Sequence, residues 1–327
     1  MQLIEVTDRP AWDSYVSDHA YGHPLQLWGW GEAKRSNQWT PYRLALEENG
    51  EWQGVAEVLL WPIPKLGRFI AYVPRGPVVE PAKAAKLLAA VAEWAKAQKV
   101  LYLRVEPAWT KATFGKGWRK AKHHLQLAET YTLDLKKTIE ELQEPMSRKH
   151  RQYIRKAERD GVVVERGSDL DAMYDLYALT AQRAGFGIHE EEYYSVLHEA
   201  LGEHSYLYVA RHQGRPVAFL WLAAAGRTAY ELYGGVSDTG QELKANYYLK
   251  WRAVEEMKAA GFEIYDFNGR LNEGVSRFKD GFGPDETNYV GAYDYPINLI
   301  GYHVWEHLWP VAKPIGRRLV KAIRGQP

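Results

Sequence analysis

Two stretches of the chain alternate apolar and polar residues about a tight turn. "YRLALEENGEWQGVAEVLLW" (42–61) does so around Asn49-Gly50, and "YLYVARHQGRPVAFLWLAA" (206–224) around Gly214. Period-two alternation interrupted by Asn-Gly or Gly predicts a β-hairpin, because these residues tolerate the positive φ angles of a short turn. A further strand follows each hairpin into a glycine turn, "FIAYVPRG" at Gly76 and "TAYELYGG" at Gly235. Each then enters an Ala-rich run of helical period, 82–98 and 242–261, which feeds a strand, "VLYLRVEP" (100–107) and "FEIYDFNG" (262–269). The paired landmarks Gly50 and Gly214, Gly76 and Gly235, and Val100 and Phe262 lie 164, 159 and 162 residues apart, which predicts an internal duplication.

Each half therefore reads as a meander followed by helix and strand, an α+β unit with a mixed sheet. A length of 327 residues fits two domains of roughly 150 residues each. The expected domains are 1–140 and 141–300, with a C-terminal helix over 301–327 packed on the first. Residues 133–167, between the halves, read as a strand and then a helix that crosses Pro145 into a basic segment.

Composition narrows the classes. Hydrophobic residues at 46% and charged residues at 25% are ordinary for a folded soluble chain. With 42 basic and 41 acidic residues the net charge is +1, so affinity for a polyanion must come from a local patch. The absence of cysteine removes disulfides, thiolate metal sites and a thiol nucleophile, and fits a reducing compartment. The N-terminal segment carries acids and no secretory apolar run, and no stretch approaches 18 uninterrupted apolar residues. The expected location is cytoplasmic, peripheral at the inner membrane face if the tail meets lipid.

Four segments carry candidate chemistry. "NEGVSRFKDGFG" (272–283) sets Lys279 between Phe278 and Phe282 among three glycines, a setting for a cation shielded from water or for a lysine on a surface loop. "MSRKHRQYIRKAERDGV" (146–162) has six Lys/Arg against two acids, with Arg148, Arg151 and Arg155 on one helical face. Such a stripe either meets nucleic-acid phosphates or is a solvated face. In the tail, Ile315, Leu319 and Ile323 form an apolar line beside Lys313, Arg317, Arg318, Lys321 and Arg324. Over 313–324 this is the pattern of a helix lying on anionic lipid, or of one docked on the first domain with its basic side in water. "HVWEH" (303–307) matches an inverted zincin signature, but no acid follows Glu306 to complete a metal site.

The chain resembles the Fem (FemABX) family of peptidoglycan aminoacyltransferases. The segments that carry the resemblance are "LWGWGEAKRSNQW" (27–39), "LRVEP" (103–107), "SRKHRQYIRKAERDGVVVE" (147–165), "YELYGGVSD" (230–238), "YDFNG" (265–269) and "RFKDGFG" (277–283), in the family's order. The resemblance implies two tandem acetyltransferase-like (GNAT-like) domains. It also implies transfer of an amino acid from aminoacyl-tRNA to the stem-peptide amine of a cell-wall precursor, either lipid II or UDP-MurNAc-pentapeptide. No metal or bound cofactor follows from it. Many members carry a coiled-coil arm for which this chain has no heptad stretch, so it resembles the compact members.

The resemblance assigns oxyanion stabilisation to Lys279, beside which Phe278 and Phe282 read as dry walls, and substrate contacts to Lys34, Arg183, Tyr193 and Tyr233. His189 stands where compact members place an arginine, and a partly charged imidazole is a poor phosphate contact. Glu106 closes "LYLRVEP" where relatives also have an acid, and Asp266 occupies the equivalent strand of the second half. Either could hold or deprotonate an amine, or serve nearby turns. Arg148, Arg151 and Arg155 become candidates for tRNA contact. The rival functions are an N-acyltransferase using acyl-CoA, a tRNA-dependent peptide ligase of natural-product biosynthesis, and a non-catalytic RNA binder. The pyrophosphate-cradling loop of acetyl-CoA enzymes is missing from "VEPAKAAK" and "SDTGQELKAN".

Overall fold

A computed structural model describes residues 1–270 and 273–306. The first half contains β1 (Gln2–Glu5), α1 (Arg9–Asp18), α2 (Trp28–Lys34), β2 (Thr40–Glu48), β3 (Glu51–Ile63), β4 (Arg68–Arg75), α3 (Ala84–Ala97), β5 (Val100–Pro107) and β6 (Arg119–Lys120). The middle runs through β7 (Glu129–Asp134), α4 (Ile139–Gln143), α5 (Arg148–Arg159), β8 (Val162–Gly167), α6 (Leu170–Ala184) and α7 (Glu191–Leu201). There follow β9 (Ser205–His212), β10 (Arg215–Ala225), β11 (Thr228–Val236), α8 (Asp238–Leu243), α9 (Ala245–Ala259), β12 (Ile264–Asp266), α10 (Glu273–Asp280), β13 (Asp285–Asn288) and β14 (Tyr293–Pro296).

Two mixed sheets result, ordered β1-β2-β3-β4-β5-β14-β6 and β13-β7-β12-β11-β10-β9-β8. The repeated meander, helix and strand is visible in both. β4 runs parallel to β5, and β11 parallel to β12. Both expected hairpins form, with Asn49 and Gly50, and then Gln213 and Gly214, at positive φ. Each sheet also borrows a strand: β14, late in the chain, pairs with β5, while β7 pairs with β12 and β13.

Three local expectations are corrected. The strand "TAYELYGG" does not turn at Gly235 but continues to Val236. There a Cβ would sit 2.5 Å from the Phe219 ring, so the glycine serves close packing. The helix expected over 242–261 breaks at Lys244, which takes a left-handed conformation (φ 63°) between α8 and α9. The helix expected to cross Pro145 is two helices, because proline has no N–H to continue the ladder; Ser147 caps the second by accepting from the His150 amide at 3.2 Å.

Apolar faces fix the layers. α3 covers the first sheet through Leu87, Leu88 and Val91 against Val58, Val73 and Leu103. α5 and α9 cover one face of the second through Ile154, Leu249, Trp251 and Val254 against Tyr131, Leu133 and Tyr265. A third cluster joins the halves: Trp12, Val16, Leu27 and Trp30 pack with Met173, Leu176, Tyr194, Leu197 and Trp221. The halves thus share a core. Helical residues 299–306 lie on the first sheet, where Arg104 donates to Asp294 at 2.7 and 2.8 Å and to Glu306 at 3.0 Å. The basic line expected over 313–324, the rest of the helix expected over 301–327, and His307 lie outside the described residues.

Candidate active site

The two parallel pairs differ at their C-terminal ends. β4 and β5 stay paired from Phe69 to Arg75. β11 meets β12 only over Thr228–Tyr230, although β11 continues to Val236 against β10. Residues 231–236 therefore leave a gap on the β12 side.

Lys279 occupies the mouth of this gap. Asp266 ends β12 and accepts from the Thr130 hydroxyl at 2.5 Å, the Tyr289 hydroxyl at 2.7 Å and the Asn268 amide at 2.7 Å. Thr130 in turn accepts from the Gly269 amide at 2.8 Å. The pinned turn presents two carbonyls to α10, and the Lys279 ammonium donates to Phe267 O at 2.6 Å and Gly269 O at 2.8 Å. The side chain is only 6% exposed. Its third N–H has no acceptor among the described residues. Burial lowers its pKa to about 8, with Glu231 opposing and Lys250 assisting. Phe278 and the fully buried Phe282 pack edge to face at 5.5 Å beside it.

Glu106 sits at the corresponding end of β5, 2% exposed. Its carboxylate accepts from the Tyr72 hydroxyl at 2.6 Å and from the amides of Leu125 at 2.7 Å and Gln126 at 2.9 Å. Arg75 holds the next residue, donating to Leu127 O at 2.8 Å. Leu127 covers Gly269, where a Cβ would lie 2.3 Å from the leucine methyl. Glu106 thus reaches the Lys279 turn through one packed loop.

A second cluster forms on the other side of the sheet. Gly29 lets α2 lie against the end of α7, since a Cβ there would be 2.0 Å from Ala200 O. This packing brings Lys34, the last residue of α2, to Tyr193 in the first turn of α7, with Nζ donating to the hydroxyl at 2.5 Å. The ammonium also lies 4.4 Å from the Trp30 ring, and burial lowers its pKa to about 8. Tyr233 shares a hydrogen bond with Tyr193. The His189 ring lies tilted at 37° against Tyr193 at 4.1 Å, its pKa lowered by burial and by Lys34. Lys34, His189, Tyr193 and Tyr233 are therefore together. Arg183 stands at the rim, donating to Val236 O at 3.0 Å and paired with Asp238 at 3.1 Å. A cleft of about 360 Å³ between the halves is lined by Tyr230, Tyr289 and Thr132 among others, and by none of Lys34, Arg183, His189, Tyr193, Tyr233 or Lys279.

On α5 the three arginines part company. Arg148 and Arg155 are exposed and form no ion pair among the described residues. Arg151 is half-buried and donates to Gln143 O at 2.8 Å and Met146 O at 2.5 Å, closing the end of α4.

Sequence reasoning missed a buried ion pair on the α9 side. Lys250 donates to Glu231, which also accepts from the Tyr265 hydroxyl at 2.7 Å. Its signal was present: Lys250 shares the stripe of Ala253, Val254 and Met257 on α9, an apolar face where a lone lysine needs a partner.

Two tandem sheets, each with a parallel strand pair carrying a buried acid at its end, define a tandem GNAT-fold protein, and an acetyltransferase (GNAT) domain model matches residues 146–280. The FemAB family model matches residues 7–129. It is 23% identical over 418 aligned positions to a lipid II:glycine glycyltransferase of Staphylococcus epidermidis, with all of both chains covered. The counterpart in Staphylococcus aureus strain USA300 is 23% identical over 406 positions, covering 95% of this chain and 96% of the relative. The crystal structure of FemX superposes with a TM-score of 0.85 at 22% identity, covering 94% of this chain and 100% of that one. A tandem GNAT protein of the clavulanic acid pathway shares the fold at a TM-score of 0.54 and 12% identity. Among the described residues no helix is long and apolar enough to cross a membrane, and no cluster of His, Asp or Glu could hold a metal.

Proposed function

We propose that the protein transfers an amino acid from aminoacyl-tRNA to the stem-peptide side-chain amine of a peptidoglycan precursor, lipid II or UDP-MurNAc-pentapeptide. The observation that carries this reading is the buried Lys279 ammonium, its third donor without an acceptor among the described residues, at the open end of the β11–β12 pair. Full-length likeness to lipid II:glycine glycyltransferases supports the acceptor class.

In this reading the acceptor amine attacks the ester carbonyl of the aminoacyl-tRNA. The new C–N bond forms a tetrahedral intermediate whose oxygen carries the charge, and the C–O bond to the terminal ribose then breaks. The ribose oxygen leaves with a proton from the amine. Lys279 offers its third N–H to the oxyanion in a dry site, where such a bond is worth more than in water. Lys34, Tyr193 and Tyr233 hold the precursor from the opposite side of the sheet, the ammonium meeting its phosphates or carboxylates. Glu106 keeps the 125–127 loop over the active turn. Arg148 and Arg155 present the exposed charge that tRNA phosphates require.

The test is a panel of labelled aminoacyl-tRNAs offered with each acceptor, with acetyl-CoA as a parallel donor. Mass gain of one amino-acid residue on the stem peptide is expected. Transfer from acetyl-CoA alone would replace this reading with the acyl-CoA one.

A further inference from the structure

Among the described residues Lys279 is one of two lysines buried in the same core, and of these only the other has a carboxylate on it. Lys250 is 5% exposed and Glu231 7%, and the two are joined directly inside the cluster formed by the second sheet, α5 and α9. Removing two charges from water costs several kcal/mol per ion, and a buried pair rarely returns more stability than apolar residues of the same size. Its position gives it another use. Glu231 is the first residue of β11 beyond the last β12 partner, at the root of the gap. The Lys250 ammonium lies 5.1 Å from the Phe267 ring and 5.5 Å from the Phe278 ring. Phe267 supplies one of the two carbonyls that hold Lys279, and Phe278 is its chain neighbour. The Tyr265 hydroxyl ties the same Glu231 to β12.

We propose that Glu231 and Lys250 are positioning residues for Lys279, clamping both phenylalanines across the root of the gap so that the ammonium stays on its two carbonyls. The inference rests on the oxyanion role given to Lys279 above. Among the described residues the charged groups that act on Lys279 are Glu231 on β11, Lys250 on α9 and Asp266 on β12; Tyr247 on α9 and His150 on α5 meet Phe278, the His150 ring at 2.9 Å from Phe278 O, and Tyr265 on β12 meets Phe267. Glu231 raises the lysine's pKa and Lys250 lowers it, so removing them one at a time moves Lys279 in opposite directions.

Two readouts use the full chain: single-turnover transfer against pH, and the titration of lysine ¹⁵Nζ resonances, with Lys279→Met assigning the signal. Glu231→Gln is expected to move the alkaline limb and the Lys279 titration down by about one pH unit, and Lys250→Met to move both up by about as much. Unmoved titrations in both variants overturn the proposal while leaving the oxyanion role intact; an active Lys279→Met overturns that role itself. If a single variant fails to fold, Glu231→Gln/Lys250→Met, which leaves no unpaired buried charge, carries the test. It is expected to fold and to lose about tenfold in kcat with KM within about twofold, the pattern of a lost transition-state contact. Parental kcat in that double variant overturns the clamp.

Discussion

The two halves of the molecule end their parallel strand pairs differently. In both, a buried carboxylate at the strand end accepts three hydrogen bonds, one from a tyrosine hydroxyl: Glu106 from Tyr72, Asp266 from Tyr289. In the first half β4 and β5 stay zipped, β14 covers the far side of β5, and the acid anchors a loop. In the second half β12 stops after three residues, the acid anchors a turn, and the turn's carbonyls hold a lysine. One repeated plan thus yields a closed end whose acid anchors a loop and an open end whose turn holds a buried lysine.

The largest expected effect comes from removing the cation of the open end. Lys279→Met should cost about 10²–10³-fold in transfer rate, as loss of an oxyanion donor does, with folding intact by circular dichroism. The same cation sets the pH dependence. Its pKa is lowered to about 8, so the charged form holds below that value and disappears above it. Transfer should therefore fall about tenfold per pH unit above pH 8. A rate still rising at pH 9.5, after correction for ester hydrolysis, would contradict the assignment. Lys34→Met, across the sheet, should raise KM for the precursor about 10–100-fold with a smaller change in kcat, because it removes a charge-assisted contact used in binding.

The closed end should respond in stability rather than in chemistry. Glu106→Gln places an amide against one of two backbone N–H donors, a loss of about 1–3 kcal/mol by denaturant unfolding with kcat within about tenfold. A thousandfold fall in kcat at unchanged stability would make Glu106 a participant and erase the contrast between the halves. The smallest effect is electrostatic. Arg148→Glu with Arg155→Glu should flatten the salt dependence of tRNA binding by roughly two units of slope. Arg151→Ala should instead loosen the end of α4, since its guanidinium is spent on carbonyls.

Local pattern carried much of this architecture. Alternation about Asn49-Gly50 and Gly214 wrote both hairpins, because side-chain direction and turn dihedrals are properties of neighbouring residues. The spacing of landmarks wrote the duplication, and the Phe-Lys segment among glycines marked the cation. Helical spacing put Arg148, Arg151 and Arg155 on one face but could not say that Arg151 would find three carbonyls at the end of α4. Nor could it foresee that "TAYELYGG" runs straight through Gly235, whose missing side chain answers the Phe219 ring of the neighbouring strand.

What only the tertiary structure decided is which groups meet across long chain separations. The exchange of β7 and β14 between sheets, the approach of Lys34 to Tyr193 and the pairing of Glu231 with Lys250 each depend on packing between elements whose sequences encode no register toward one another. The same holds for the different surroundings of Glu106 and Asp266. Both are acids at a strand end in sequence; whether the neighbouring strand continues alongside or stops is set by the rest of the fold.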